Sequence, residues 1–129
     1  MTDAIGIAGS ALSVHRQWLD AIADNIANAN NVSSTDGAAF QARYLVAEAG
    51  EGTTGVSVTR VESGDAEGRI VYQPDHSLAD ANGNVRYPDI DLAEQMGALI
   101  MAQRGYQANA AVVDRAKTSY EAALQIGRS

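Results

Sequence analysis

From Asp3 to Asn30, apolar residues return at alternating spacings of three and four: Ile5, Ala8, Leu12, Leu19, Ile22, Ile26 and Ala29. His15 takes the one polar position in that series, while Ser10, Ser13, Gln17, Asp20 and Asp24 fall elsewhere around the cylinder. This pattern predicts an amphipathic helix with a coiled-coil-like seam. Asn25, Asn28, Asn30 and Asn31 bring it to an end, because asparagine favours caps and turns over helix interiors.

A second helical period runs from about Ile90 to Ile126. Asp91 and Glu94 have capping-box spacing, Pro88 lies just outside, and Gly127 predicts the stop. The seam is Leu92, Met96, Leu99, Gln103, Tyr106, Ala110, Val113, Lys117, Tyr120 and Leu124. At 1.5 Å per residue such a helix is about 55 Å long, more than a 13.5 kDa globule can enclose. A second stripe lies beside the first: Ala98, Ala102, Gly105, Asn109, Val112, Ala116, Ser119 and Ala123. Small residues let helix axes approach closely, so one reading gives this stripe, together with Trp18, to a neighbouring molecule. One broad buried face, or alanine serving as a helix former, accounts for the stripe equally well.

Between the helices, Val32 to Pro88 is rich in Gly, Ser, Thr and Asp. Val56–Val61 and Arg69–Gln73 are β-prone, and Glu62–Gly68 between them is a candidate hairpin loop. The expected fold is therefore mainly α. Long N- and C-terminal helices pair as a coiled-coil-like hairpin, with a small β-hairpin or extended lobe inserted between them. The expected segments are 1–31, 32–88 and 89–129, the first and last forming one inner domain.

Composition narrows the function. The net charge of −7, with Lys117 the only lysine, leaves no basic cluster to neutralise phosphates, which argues against a nucleic-acid module. No apolar run approaches the roughly 20 residues that span a bilayer. There is no cysteine, hence no disulfide and no thiolate metal site. The first residues carry no basic, apolar or cleavage region of a secretory leader.

Candidate chemistry is sparse. His76 sits near Asp75, Asp80, Asp89 and Asp91, but the only other histidine, His15, lies on the first helix. His15 reads as a polar specifier within a helical interface, and His76 as a turn residue. Asp80–Asn84 resembles a calcium loop only until Gly83 is aligned with the loop glycine, which puts Leu78 where a carboxylate must stand. The segment reads as a tight turn. No catalytic residue, metal ligand or cofactor is predicted, and the chain is expected not to be an enzyme.

One resemblance adds an identity to these readings. Leu19 to Asn30, containing Asn25-Ile26-Ala27-Asn28, resembles the N-terminal signature of bacterial flagellar axial proteins, the rod and hook family. Tyr72 to Ile90, with Tyr72, Pro74, His76, Ala79, Asp80, Gly83, Tyr87 and Pro88, is similar to the signature of proximal rod subunits. Glu94–Met96, Ala102–Asn109 and Ala116-Lys117 resemble the C-terminal helix of the same subunits. Ser77, Asn84 and Asp89 depart from the usual pattern, and residues 48–68 have no clear correspondence.

The resemblance implies a structural subunit of the proximal rod in the basal body. Such a subunit polymerises to transmit torque and to enclose the export channel. Its partners would be copies of itself, other rod subunits, and membrane-ring and export-gate components. It would reach the periplasmic rod through the flagellar type III apparatus without a cleaved signal. The alternatives are a sibling rod subunit or a helical export chaperone. Within the chain, the expected helix seam joins Ile5, Leu12, Leu19, Ile22 and Ile26 to Leu92, Met96, Leu99, Tyr106, Val113, Tyr120 and Leu124. The expected surface for neighbours is Trp18, Ala98, Ala102, Gly105, Asn109, Val112, Ala116 and Ala123.

Overall fold

A computed structural model describes residues 2–52 and 54–128. Met1, Thr53 and Ser129, which fall within the three predicted segments, lie outside the described residues. The element order is α1 (Thr2–Ala27), β1 (Arg43–Ala49), β2 (Val56–Ser63), β3 (Arg69–Tyr72), β4 (Asn84–Tyr87) and α2 (Leu92–Arg128). The two helices pack against each other, and two small antiparallel hairpins lie between them in sequence.

The hairpins are β1–β2 and β3–β4, so β2 and β3 do not pair across Glu62–Gly68 as expected. The backbone after β2 is already engaged. Gly64 N–H donates to Ala42 C=O (2.7 Å), and Ala39 N–H donates to Ala66 C=O (2.8 Å). That leaves β3 to pair forward with β4. The first strand, Arg-Tyr-Leu-Val-Ala-Glu-Ala, carries two alanines and a glutamate, which weaken its β signal.

α2 begins as the sequence predicts. The Asp91 side chain accepts from Ala93 N–H (3.0 Å) and Glu94 N–H (3.3 Å), satisfying donors that a helix start leaves unpaired. Its end differs: the helix runs through Gly127 to Arg128. Glycine weakens a helix interior by only about 1 kcal/mol and does not by itself end a helix. At the end of α1, Asn28 donates from both its backbone and its side chain to Asp24 C=O (3.1 and 2.8 Å).

The α1–α2 contact is built on small residues of α2. Ala102 is fully buried, and Ala98, Gly105, Asn109 and Ala116 are partly buried. At Gly105 the closest neighbour is the His15 imidazole, and even one methyl added there would collide with it. His15 is fixed in turn by Nδ1 on Ala11 C=O (2.7 Å) and by the ring of Trp18, 6.1 Å away between centroids. The broad-face reading of the small stripe therefore describes its position over α1. Of the other stripe, Leu92, Met96 and Tyr106 are exposed, Leu99 and Val113 are half-buried, and Tyr120 and Leu124 are exposed near the end of α2. The physical reason is size: small residues let the helices approach until the bulky α1 side chains Ile22 and His15 fill the gap.

Two contacts fix the register. Asn25 meets Gln95, and His15 meets Gly105, so ten residues along α1 match ten residues backwards along α2. Continued to its start, α1 draws level with about Thr118. The remainder of α2 projects past it by about 15 Å.

Asn25 ties three elements together. It is 1% exposed. Its amide nitrogen donates to Gln95 Oε1 on α2 (3.1 Å) and to Arg43 C=O on β1 (3.0 Å). Its carbonyl accepts from Arg43 N–H (2.9 Å). Asn25 thus lies inside α1 as a buried linker, rather than marking the helix end. The other end of the first hairpin is held by Ser10, whose hydroxyl accepts from Val56 N–H (2.9 Å) and donates to Ile7 C=O (2.7 Å).

Two measurements test this packing. Asn25→Ala strands Arg43 backbone groups and the Gln95 amide, and should cost about 2–4 kcal/mol in denaturant unfolding. Gly105→Ala should destabilise the chain in the presence of His15, although alanine favours helix interiors. In a His15→Ala background the same change should stabilise by about 0.5–1 kcal/mol. Absence of that sign reversal in a double-mutant cycle refutes the His15–Gly105 contact.

Candidate assembly surface

The loop from Tyr72 to Pro88 is built around Asp80. Its Oδ1 accepts from Asn82 N–H (2.8 Å) and Asn84 N–H (2.9 Å), and its Oδ2 accepts from the Thr35 hydroxyl (2.8 Å). Asp80 N–H donates to Asn84 C=O, and Gly83 N–H donates to Asp80 C=O, both at 2.9 Å. Gly83 takes a left-handed conformation with φ of 79° and is wedged against Tyr72 and Pro74, so only glycine fits. His76 Nδ1 accepts from Leu78 N–H (3.0 Å), as a turn residue does. The carboxylate is fully engaged in holding the turn.

The remaining signature residues fasten this loop to the chain. Ser33 and Arg86 exchange backbone hydrogen bonds of 2.8 Å. The Arg86 guanidinium donates to Thr35 C=O (3.0 Å) and to Glu67 C=O. Tyr87 donates its hydroxyl to Gln73 Oε1 (3.1 Å), while Arg69 lies 5.0 Å above its ring. Val85 and Pro88 are buried. Of the motif residues, Asn25, Gly83 and Pro88 are buried; Ile26, Asn28, His76, Ala79, Asp80 and Tyr87 are half-buried; Ala27, Tyr72 and Pro74 are exposed.

Among the described residues, the two histidines are not brought together. His15 lies between the helices and His76 in the far loop, and each Nδ1 is already bonded to backbone. Among the described residues no cluster of three His, Asp or Glu side chains could hold a metal ion. No described helix is long and apolar enough to cross a membrane.

What the chain does present is apolar surface on α2. Leu92, Met96 and Ile100 recur every four residues along one ridge, and Met101 beside it is 66% exposed. Further along, Tyr106, Val112, Tyr120, Leu124 and Ala123 also face outward. Among the predicted seam residues, Ile22 is buried and Ile5, Leu12, Leu19, Ile26, Leu99 and Val113 are half-buried. Trp18 is half-buried, lining a cleft with Ile22, Tyr44, Leu45 and Ala98 of the same chain. Ile100 and Met101 escaped the sequence reading because they belong to neither stripe. Their signal was apolar character beyond both stripes, Ile100 on the ridge of Leu92 and Met96 and Met101 on a further side of the helix.

The Asp80 turn makes a pH prediction. Backbone donation from Asn84, followed by the Thr35 hydroxyl, holds its carboxyl below the usual carboxylate range. A lowered folded-state value means stability is complete above about pH 4 and is lost as pH falls through the lowered value. Acid titration followed at the Asn82 and Asn84 amides should show this transition in the native chain. Asp80→Asn should abolish it, and an unchanged titration in that variant would exclude Asp80 as its source.

Comparison with known proteins places this architecture. Residues 5–37 match the family described as flagella basal body rod protein, and residues 81–126 match the flagellar basal body rod FlgEFG protein C-terminal family. The flagellar basal-body rod protein FlgC of Yersinia enterocolitica is 40% identical, over 95% of this chain and 94% of its own. FlgC of Salmonella typhimurium is 38% identical with the same coverage. FlgC of Bacillus subtilis is 25% identical over 97% of both chains. The matched segments contain Asn25, Gln95 and Gly83, and the likeness runs through both helices. This chain belongs to the family of flagellar basal-body rod proteins FlgC.

Proposed function

We propose that this chain is a structural subunit of the flagellar proximal rod, polymerising with copies of itself and other rod subunits to transmit torque and enclose the export channel. The observation that carries this reading is the run of exposed large apolar side chains along α2, from Leu92, Met96, Ile100 and Met101 to Tyr120 and Leu124. A large apolar surface left uncovered within one chain is the mark of an interaction surface. α1 and α2 together form the inner, coiled-coil-like domain, residues 1–31 and 89–129, and the segment 32–88 is the outer lobe. Membrane-ring and export-gate components are the further partners. Delivery is through the flagellar type III apparatus without a cleaved signal.

Within this reading the predicted surface for neighbours divides. Ala98, Ala102, Gly105, Asn109 and Ala116 serve the α1–α2 contact, while Val112 and Ala123 remain open to other subunits. Trp18 reaches neighbours only through its uncovered edge. Dense packing of these helices between subunits would give the torsional stiffness that a drive shaft requires.

The test is complementation. In a motile bacterium lacking its own FlgC, this chain should restore swimming and basal-body rods. Met96→Glu combined with Met101→Glu should keep the helical circular dichroism of the parent but abolish rod incorporation and motility. Both side chains are exposed, so the fold tolerates the charge whereas a buried interface does not. Normal rods from the double variant would defeat the proposed role of this face.

A further inference from the structure

Asparagine followed by glycine is the peptide junction most prone to deamidation, because glycine has no side chain to hinder its backbone nitrogen. That nitrogen bonds to the carbonyl carbon of the asparagine side chain. The carbon–NH2 bond breaks, and ammonia leaves with the glycine amide proton. Water then opens the cyclic imide at either carbonyl, giving aspartate or the β-linked isoaspartate. Asn82-Gly83 is such a junction, and no other asparagine of the chain precedes glycine. Asn82 is exposed, so solvent reaches it.

The fold sets this junction in a conformation that cannot react. Gly83 N–H donates to Asp80 C=O (2.9 Å), closing a turn over Ala81 and Asn82, neither of which has a positive φ. That is the type I arrangement, in which the second central residue holds ψ at about 0°. Closing a flat five-membered ring instead requires the Gly83 nitrogen to eclipse Asn82 Cβ. Rotating it there breaks the bond to Asp80 and swings Gly83 out of its seat against Tyr72 and Pro74. The Asp80 carboxylate opposes the same rotation, since its Oδ1 holds the amides on both sides, Asn82 N–H (2.8 Å) and Asn84 N–H (2.9 Å). Thr35 anchors that carboxylate through Oδ2 (2.8 Å).

We propose that Asn82 is a deamidation site which the Asp80 turn keeps closed in the folded chain and which opens when the loop is undone. The isoaspartate product does not fit the turn it came from. It routes the main chain through the former side chain, adding a methylene between Asp80 and Gly83, and it leaves a new carboxylate beside that of Asp80. Gly83 then cannot both reach Asp80 C=O and lodge against Tyr72 and Pro74. The modification therefore collects in chains that have spent time unfolded and stops them from re-forming the loop. The aspartate product keeps the original main-chain length and escapes this penalty.

The experiment incubates the full chain at mildly alkaline pH, in buffer and in guanidinium chloride. Peptide mass mapping follows the mass gain at Asn82 and separates it from Asp36-Gly37, which isomerises without a change of mass. The unfolded chain should deamidate at Asn82 at least about tenfold faster than the folded one, because the open population sets the rate. Asp80→Ala should approach the unfolded rate in native buffer. Thr35→Val removes one bond to the carboxylate and leaves the junction itself unaltered, so it should accelerate the reaction by a smaller factor while retaining the parental circular dichroism. Equal rates in the folded and unfolded parent would overturn the proposal, as would two variants that react no faster than the parent. After return to native buffer, chains with isoaspartate at position 82 should lack hydrogen-exchange protection at the Gly83 and Asn84 amides. Full protection in those chains would refute the claim that the product is shut out of the turn.

Discussion

The fold depends on one buried amide. Asn25 binds β1 through both backbone groups of Arg43 and binds α2 through Gln95. An unpaired amide in that position would oppose folding, whereas a fully bonded one selects a single arrangement of three elements. Apolar side chains alone could not do this. Ile22 and Ala21 would be buried at several helix registers, but Asn25 finds its partners at only one.

From that node the rest follows by length. α1 has 26 residues and α2 has 37, so a fixed antiparallel register leaves α2 projecting beyond its partner. Close approach of the helices depends on Ala102 and Gly105, and it leaves Leu92, Met96, Ile100 and Met101 exposed. The chain thus stabilises its own hairpin with small residues and keeps its large apolar ones for contacts outside itself. This division suits a rod protein, which must be both a defined unit and an incomplete one.

The signature loop serves the same end by different chemistry. Residues 73–83 have no strand or helix of their own, so their backbone polar groups need other partners. Asp80 supplies acceptors for two amides and one hydroxyl, and Gly83 supplies the left-handed turn. Tyr72, Leu78 and Ile70 stay exposed around this rigid frame. The loop's most recognisable residues are therefore largely those that shape it.

Local pattern alone determined a good deal. The two helical periods, the Asp91 cap, the tight turn at Asp80–Asn84 and the family signatures were all legible, because each depends on residues close together in sequence. What only the tertiary structure decided depends on partners far apart. β2 was free to pair with either neighbour until Ala39 and Ala42 occupied the backbone beyond it. Asn25 looked like a helix terminator because Arg43 and Gln95 lie 18 and 70 residues away. The two stripes of α2 differ in side-chain size, and periodicity reports which residues share a face without reporting which face meets α1. Their assignment required seeing His15 seated on Gly105, where closeness of approach, rather than hydrophobicity, chooses the buried side.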